Sequence, residues 1–257
     1  MEIFFCIMLF CMGAVFGSFF TLAVYRIPLG LDITHERSFC PNCGHRLEFI
    51  DLIPILSYLS LNGKCRYCGK PVRIRYLILE IASGLVFLTA YFAFHLSFPF
   101  FKAPSILLMV AFVMFYITNA VILGIDKENL EIDKRVLLFG IITNFIYMLY
   151  LYIFKINNLY RYGIYLVIML VLFCFDTWSL KVRKKSYYLV QCLILFAYEI
   201  SFIDNLKMIF GMIIGSFLVY IIYALHKRRE GLKNVPIGFC MSISAIASFL
   251  IGNIMLL

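Results

Sequence analysis

The feature that most constrains this chain is a succession of eight long apolar stretches separated by polar segments. A helix needs about 20 apolar residues to cross a bilayer, and each stretch comes close to that length. Because 63% of the 257 residues are apolar and only 14% are charged, a soluble domain could not bury its apolar surface. The sequence predicts an all-α polytopic membrane protein with helices at about 3–24, 76–94, 105–124, 136–154, 162–178, 187–203, 207–225 and 235–256.

Basic residues are distributed unevenly over the connecting segments, and this orients the helices. Segments 25–75, 126–135, 181–185 and 226–234 hold 19 of the 23 Lys and Arg residues. Since Lys and Arg accumulate in cytoplasmic loops, we expect these segments on the cytoplasmic side of the inner membrane, beside anionic headgroups. Both termini are then expected outside. The net charge of +9 follows from this topology and does not indicate a nucleic-acid partner.

The longest polar segment divides the predicted fold into three parts. A first transmembrane helix occupies 1–24, a cytoplasmic insertion 25–75, and a transmembrane helical domain 76–257. Gly211 and Gly215 form a GxxxG spacing, which permits close helix contact and is expected to mark an internal packing seam. A transporter would be expected to show a pair of Gly- or Pro-broken half-helices in matching positions. The sequence has no such pair, which disfavours a transporter.

The insertion carries two CxxC pairs with 21 residues between them. A glycine follows each pair, at Gly44 and Gly69, and relieves the tight turn of a metal knuckle. Four thiolates at this spacing are typical of a closed, tetrahedral structural zinc site. The alternatives are unligated thiols or two disulfides, and disulfides are disfavoured in the cytoplasm. The predicted zinc ligands are Cys40, Cys43, Cys65 and Cys68.

Several motifs follow one another in the order seen in the type IV prepilin peptidases, and the chain resembles that family. The resemblance is dense over residues 13–80 and weaker to the end of the chain. Its elements are Gly17-Ser18-Phe19, Arg26-Ile27-Pro28, the two CxxC pairs, residues 53–59 and 63–66, Arg75-Tyr76 with Glu80, and Val235-Pro236-Ile237-Gly238-Phe239.

The resemblance implies an aspartic-type endopeptidase that removes basic leaders from pilin-like precursor proteins at the cytoplasmic membrane face. It also implies, as in many members, N-methylation of the product with S-adenosylmethionine, with the cysteine insertion tied to that half. In family terms, Glu80 and Arg26 are candidates for binding this cofactor. The alternatives are a charge pair at the membrane edge for Glu80 and a headgroup anchor for Arg26.

The implied peptidase chemistry needs two carboxylates that share a proton around one water. Asp126, directly after the apolar run 105–125, fits the family's first aspartate. The alternative is a solvated helix end, because Lys127 and Glu128 follow at once. The family's second aspartate belongs to a Gly-x-Gly-Asp motif. The corresponding residues, 186–191, contain no glycine and no carboxylate, and Leu189 stands at the aspartate position.

Asp176 is the best substitute for the missing acid, since it lies near the inner end of its predicted helix. The alternative is that Asp176 pairs with the basic run 181–185 or caps a turn. Glu199 lies deeper and is expected to be protonated or hydrogen-bonded. The predicted function is prepilin leader peptidase, with Asp126 and Asp176 catalytic. The alternative is an inactive pseudo-peptidase that binds or only methylates its substrate, because the carboxylate pair acts as a unit.

Overall fold

The computed structural model describes residues 2–33, 37–94, 103–154, 159–183, 186–203, 206–229 and 235–254. Within these ranges the regular secondary structure is helical, with one 3-10 turn at Phe49–Leu52, and the insertion adds two isolated β-bridges but no strand. The helices are α1 (Glu2–Arg26), α2 (Leu56–Ser60), α3 (Arg75–Ala93), α4 (Ala103–Asn129), α5 (Lys134–Ile153), α6 (Leu159–Arg183), α7 (Tyr188–Phe202), α8 (Leu206–Arg229) and α9 (Ile237–Ile254).

Each of the eight predicted apolar stretches coincides with one of the long helices, several of which extend beyond it, so the all-α membrane fold is confirmed. Six of them, α1, α3, α4, α5, α6 and α8, are long and apolar enough to cross a membrane. The remaining two, α7 and α9, are apolar over the shorter ranges Tyr188–Phe202 and Ile237–Gly252. The predicted number of eight spans is therefore approximate, because a helix of 15 residues is shorter than a typical span.

The chain forms two compact units, Met1–Phe101 and Lys102–Leu257. The first unit contains α1, α2, α3 and the cysteine insertion, and the second contains α4 to α9. The predicted division at residue 76 followed the end of the polar insertion. The compact units divide at another place, because α3 packs along α1.

Glycines on α1 let α3 approach closely in the first unit. A Cβ added at Gly13 would lie 2.6 Å from the backbone oxygen of Ser83, and one added at Gly17 would lie 2.7 Å from that of Leu79. Both distances are far below van der Waals contact. The pairing of α1 with α3 therefore depends on the missing side chains, as in other close membrane-helix contacts.

In the second unit, α4 packs against α5 and α9, while α7 packs against α5, α6 and α9. Of the six long helices, α4 is the most buried and α8 the least. An aromatic layer fills the core between α4, α7 and α9. Phe115 lies 4.7 Å from Phe202 and 5.3 Å from Phe249, measured between ring centroids. This layer holds together α4, which carries Asp126, and the helices α7 and α9, whose first turns contact the candidate aspartates.

A short turn connects α4 to α5 and leaves Asp126 one turn before the end of α4. Leu130 adopts a left-handed conformation with φ of 56°, and its N–H donates to the carbonyl oxygen of Asp126 at 3.0 Å. Asp133 then caps α5 by accepting a hydrogen bond from the N–H of Arg135 at 2.8 Å. Ending one helix and capping the next within four residues keeps the backbone groups of the turn paired.

Candidate functional site

The four cysteines of the insertion form one cluster. The Sγ atoms of Cys40, Cys43, Cys65 and Cys68 all lie within 4.8 Å of one another, and those of Cys40 and Cys68 are 4.0 Å apart. A tetrahedral zinc with Zn–S bonds of about 2.3 Å separates its sulfurs by about 3.8 Å. The cluster therefore fits a metal ion of this kind, and none of its thiols forms a disulfide.

The two CxxC pairs have the same local geometry. The backbone N–H groups of Cys40 and Cys65 each donate to the carbonyl oxygen five residues later, at 2.9 Å in both cases. Gly44 and Gly69 donate back to the carbonyls of Cys40 and Cys65, with φ of +70° and +67°. The left-handed backbone favours glycine at these two places, so the expected metal knuckles are present.

The thiols of the cluster differ in how readily they lose a proton. Burial acts to raise the pKa of Cys40, but hydrogen bonds from the backbone N–H groups of Cys43 and Asn42 outweigh it and lower the pKa to about 7. The N–H of Lys70 acts to lower the pKa of Cys68, yet burial and the neighbouring thiols raise it to about 11. A cation is needed to hold four thiolates so close together.

Asp51 joins the segment between the knuckles to the second CxxC pair. Its carboxylate accepts hydrogen bonds from Arg66 Nε at 2.7 Å and from the Tyr67 hydroxyl at 2.9 Å. Burial acts to raise the pKa of Asp51, but these two bonds outweigh it and hold the pKa below its ordinary value. The His45 and Tyr67 rings, 3.6 Å apart, link the two knuckles.

Glu80 supports a strained turn in the first unit. Its Oε2 accepts a hydrogen bond from the N–H of Ile55 at 2.7 Å. Ile55 has φ of 63° and ψ of −53°, and Leu56 donates its N–H to the carbonyl of Pro54 at 2.6 Å. This is a γ-turn of the strained type, and a β-branched residue is rare at such a φ. Glu80 is buried, and the hydrogen bond that it accepts comes from the backbone.

Arg26 fastens the chain that follows α1. The side chain is only 2% exposed, which disfavours the alternative of a headgroup anchor. Its guanidinium donates to the carbonyl oxygens of Asp32 at 2.7 Å and Arg37 at 3.1 Å. It also lies over the ring of Phe39 at 5.8 Å. These contacts order the start of the insertion, and cofactor binding by Arg26 and Glu80 stays a prediction.

Asp126 lies fully buried against the first turn of α9. Its Oδ2 accepts a hydrogen bond from the N–H of Phe239 at 2.8 Å, and its Oδ1 accepts one from the Tyr188 hydroxyl at 2.8 Å. The same hydroxyl accepts a bond from the N–H of Ile237 at 2.8 Å. Because a helix N-terminus attracts anions, this is a favourable place for a carboxylate. The interpretation as a solvated helix end does not hold for Asp126, which is 0% exposed.

Gly238 makes this contact possible. A Cβ at Gly238 would lie 3.0 Å from Asp126 Oδ2, which is too close for an undisturbed carboxylate. The motif at 235–239, which carries part of the family resemblance, thus surrounds the carboxylate of Asp126. No sequence pattern identified Tyr188 as the other partner. The one indication in the sequence was that Tyr188 precedes Leu189, the residue at the family's second aspartate position. Leu189 itself is 67% exposed.

Asp176 lies fully buried in a different network of the second unit. Its Oδ2 forms an ion pair with Lys134 Nζ at 2.9 Å. Its Oδ1 accepts bonds from the Ser186 hydroxyl at 3.0 Å and from the N–H of Tyr187 at 3.2 Å. The ion-pair partner thus lies on α5, outside the basic run 181–185 that the sequence suggested. The expected cap is present, at the start of α7.

Among the described residues, the two candidate aspartates contact neighbouring positions at the start of α7. Asp126 contacts Tyr188, and Asp176 contacts Ser186 and Tyr187. Within the described ranges, the hydrogen bonds give the two carboxylates no partner in common. The structure thus brings both acids to the start of α7 but gives each its own set of donors.

Part of the chain is similar to known proteins. Residues 11–94 match the family model described as the bacterial peptidase A24 N-terminal domain. A protein of Myxococcus xanthus named prepilin leader peptidase/N-methyltransferase is 38% identical over 112 residues, which cover 42% of this chain and 33% of that protein. Through this region the chain is similar to the type IV prepilin peptidases.

Two further similar proteins carry the same name. The Klebsiella pneumoniae protein is 40% identical over 88 residues, 32% of this chain and 39% of its own length. The Bacillus subtilis protein is 37% identical over 131 residues, 51% of this chain and 49% of its own length. The chain thus spans a third to a half of the length of these prepilin peptidase relatives. No solved structure matches it.

The family-model match lies wholly within the first compact unit. It includes the four cysteines, Arg26 and Glu80, whereas Asp126 and Asp176 belong to the second unit. The region matched by the A24 N-terminal domain model is therefore the one that holds the cysteine cluster, and the candidate peptidase residues lie outside it.

Proposed function

We propose that this protein processes pilin-like precursors at the cytoplasmic face of the inner membrane, as a leader peptidase that also N-methylates the product. The observation that carries the proposal is the family match over residues 11–94, together with the assembled cysteine cluster inside it. Relatives named prepilin leader peptidase/N-methyltransferase supply the activity. The substrates would be membrane helices that present a basic leader.

For cleavage, we propose Asp126 and Asp176 as the two acids. One carboxylate would take a proton from a water that attacks the scissile carbonyl, and the other acid would protonate the leaving amine. The N-terminus of α9 supports the ionised form of Asp126, since the N–H of Phe239 donates to it. Asp176 would first have to leave Lys134 and Ser186, because these groups occupy both of its oxygens.

For the insertion, we propose a structural zinc held by Cys40, Cys43, Cys65 and Cys68. Four sulfurs fill a tetrahedral shell and leave no position for a reacting water, so the ion would stabilise the insertion without entering the chemistry. S-adenosylmethionine would be the methyl donor. The contacts of Arg26 and Glu80 are made to the backbone, so they do not by themselves form a site for it, and we assign no methylation step to them.

A second function is favoured by the contacts of the two aspartates. Asp126 is held by Tyr188 and α9, and Asp176 by Lys134 and the start of α7. A phenol can donate a proton but is a poor base, so the partner of Asp126 does not replace a second carboxylate. In this alternative the protein binds or methylates pilin-like substrates and does not cleave them.

One experiment separates the two functions. The full chain would be co-expressed with a pilin-like precursor from the same genome, and the intact mass of the precursor would be measured. The peptidase function predicts loss of the leader mass, abolished by either Asp126→Asn or Asp176→Asn. A further gain of one methyl group would support the transferase.

Glu131→Gln is the matched control for both aspartate variants, because Glu131 is exposed in the turn between α4 and α5. It should leave processing unchanged. Cleavage that survives Asp176→Asn would remove Asp176 from the mechanism. An uncut precursor, in cells where a complete family member cuts it, would overturn the peptidase function. Methylation of a precursor supplied without its leader would then support the non-cleaving alternative.

A further inference from the structure

The insertion exposes apolar side chains and buries an acidic one over residues 49–59. In the 3-10 turn Phe49–Leu52, the side chain of Asp51 is only 5% exposed, because it accepts hydrogen bonds from the second knuckle. The apolar residues of the same turn are exposed, and Phe49 reaches 82%. In a turn that faces water, the acid is expected outside and the large apolar side chains inside.

The exposed apolar residues are close enough in the chain to form one surface. The short helix α2 begins four residues after the 3-10 turn ends and contacts it. Leu56 and Leu59 lie one turn apart on the same side of α2, and are 64% and 57% exposed. Such a contiguous patch marks an interaction site, unlike single exposed leucines. The members of this apolar surface are Phe49, Ile50, Leu52, Leu56 and Leu59.

Glu80 fixes where the apolar surface lies along the membrane helices. Its carboxylate accepts a hydrogen bond at 2.7 Å from the N–H of Ile55, which directly precedes α2. Glu80 lies five residues after the start of α3, or about 7.5 Å along the helix axis. Since helix side chains lean towards the N-terminus, Ile55 lies beside the first turns of α3. This helix is one of the six that are long and apolar enough to cross a membrane.

The packing of α1 gives the same position for Glu80. A Cβ added at Gly17 would lie 2.9 Å from the Cα of Glu80. Gly17 lies nine residues, or about 13.5 Å, before Arg26 at the end of α1. Both helices therefore extend beyond Glu80 on the side of the insertion. The apolar surface is thus held near the boundary of headgroups and acyl chains, where amphipathic segments insert to a depth of about 5–10 Å.

The charges next to the apolar surface indicate which partner it fits. Residues 49–75 contain five Lys and Arg but only one acid, Asp51, which is already paired. Apolar side chains beside exposed cations are typical of segments that lie in the interface of an anionic bilayer. A basic leader would be repelled by the same cations. The exposed basic residues are Lys64, Lys70 and Arg73.

We propose that the apolar surface docks the insertion on an anionic lipid bilayer, beside the first turns of α3. Phe49, Leu56 and Leu59 contact the acyl chains, and the exposed basic residues contact the lipid phosphates. The hydrogen bond from Ile55 to Glu80 holds the segment at this depth. This position of the insertion is independent of whether the protein cleaves a precursor.

The test uses the full chain with single tryptophan reporters in lipid vesicles. Trp178→Phe removes the one natural tryptophan, and Phe49→Trp places a reporter on the apolar surface. The vesicles contain phosphatidylglycerol and phosphatidylcholine, and part of the phosphatidylcholine carries bromine on its acyl chains. Brominated lipid quenches a tryptophan that contacts lipid, whereas acrylamide quenches one that contacts water. We expect Phe49→Trp to be quenched strongly by brominated lipid and weakly by acrylamide.

Two control reporters define the limits of the measurement. Leu85→Trp, at an exposed position of α3, should be quenched by lipid, and Glu131→Trp, in the exposed turn between α4 and α5, by acrylamide. If Phe49→Trp behaves like Glu131→Trp, the surface faces water and the proposal is wrong. Protection from both quenchers would show that protein covers the surface, and would equally overturn it. Lipid quenching that is lost on addition of a pilin-like precursor would assign the surface to the precursor instead.

Paired substitutions on α2 test whether its apolar side chains cause the lipid contact. Leu56→Glu combined with Leu59→Glu puts two charges at the boundary, where burial in lipid is costly. In this protein the Phe49→Trp emission should shift to longer wavelength, and its acrylamide quenching should rise several-fold. Leu56→Met combined with Leu59→Met keeps the surface apolar and should change neither. Unchanged emission in the glutamate pair would contradict the lipid contact.

Discussion

At the scale of single residues, the surroundings of Asp126 decide what this carboxylate can do. Its two oxygens are held by a phenol and by the first turn of α9. Both donors stabilise the ionised form, and the Tyr188 hydroxyl is itself oriented by the N–H of Ile237. Tyr188 therefore positions Asp126 and completes the cap of α9 at the same time.

Removing the Tyr188 hydroxyl tests this arrangement. Tyr188→Phe leaves Asp126 Oδ1 without its donor and Ile237 N–H without its acceptor. We expect the free energy of unfolding in detergent to fall by about 1–3 kcal/mol, the cost of leaving buried polar groups unpaired. Tyr187→Phe is the matched control, since the contact of Tyr187 to Asp176 uses its backbone N–H. Equal stability of the two variants would contradict the assigned role of Tyr188.

The candidate site shows how far single residues can be predicted from sequence. Asp126 and the four cysteines stand at positions that motif spacing identifies. Motif spacing does not identify the partners Tyr188 and Lys134. Tyr188 lies 62 residues from Asp126 in sequence, and Lys134 lies 42 residues from Asp176. Such pairs depend on how α4, α5, α6 and α7 pack together, and no local pattern encodes that packing.

At the scale of helices, the closest described contact involves a GxxxG spacing that sequence analysis did not single out. Gly13 and Gly17 face the backbone of α3. In the GxxxG spacing at Gly211 and Gly215, only the second of the two glycines lies close to another helix. Gly215 faces Ser244 Oγ at 3.2 Å, whereas Gly211 has open space around it. The same motif occurs at both places, so only the packing of the helices distinguishes them.

Alanine substitution should have opposite effects at these two places. Gly17→Ala puts a methyl group against the Leu79 carbonyl, a backbone atom that cannot move aside cheaply. We expect it to lower the free energy of unfolding by about 1–3 kcal/mol. Gly211→Ala meets no neighbour and gains helix propensity, worth up to about 1 kcal/mol. The measurement is thermal unfolding in detergent, and a stabilising Gly17→Ala would show that α1 and α3 do not pack closely.

At the scale of the whole molecule, apolar length and composition predicted the helical membrane fold and located its helices. The short helices α7 and α9 lie where the sequence predicts them, but they are shorter than the predicted stretches 187–203 and 235–256. Their ends carry the contacts to Asp176 and Asp126, so apolarity alone could not place those ends. Sequence also did not predict the boundary between the compact units, because that boundary reflects the pairing of α1 with α3.

The distribution of basic residues predicts which ends of the helices face the cytoplasm, and this can be measured. Green fluorescent protein fused after Arg135 should fluoresce, because that segment is expected inside. Alkaline phosphatase fused to the C-terminus should be active, because the terminus is expected outside. Exchanging the two reporters should silence both and serves as the control. The reverse pattern would overturn the assigned orientation.

A metal bound to the cysteine cluster would also lower the entropy cost of closing the loop between α1 and α3. Forty-eight residues separate Arg26 from Arg75, and with Cys40 and Cys68 joined by a metal fewer than half of them still count as free loop. Because each doubling of loop length costs only about 0.6 kcal/mol, a metal bound to the cluster would ease closure of this loop by about 0.8 kcal/mol. That is too little to decide whether the helices pair. A chelator should therefore open the insertion to protease while α1 and α3 stay packed.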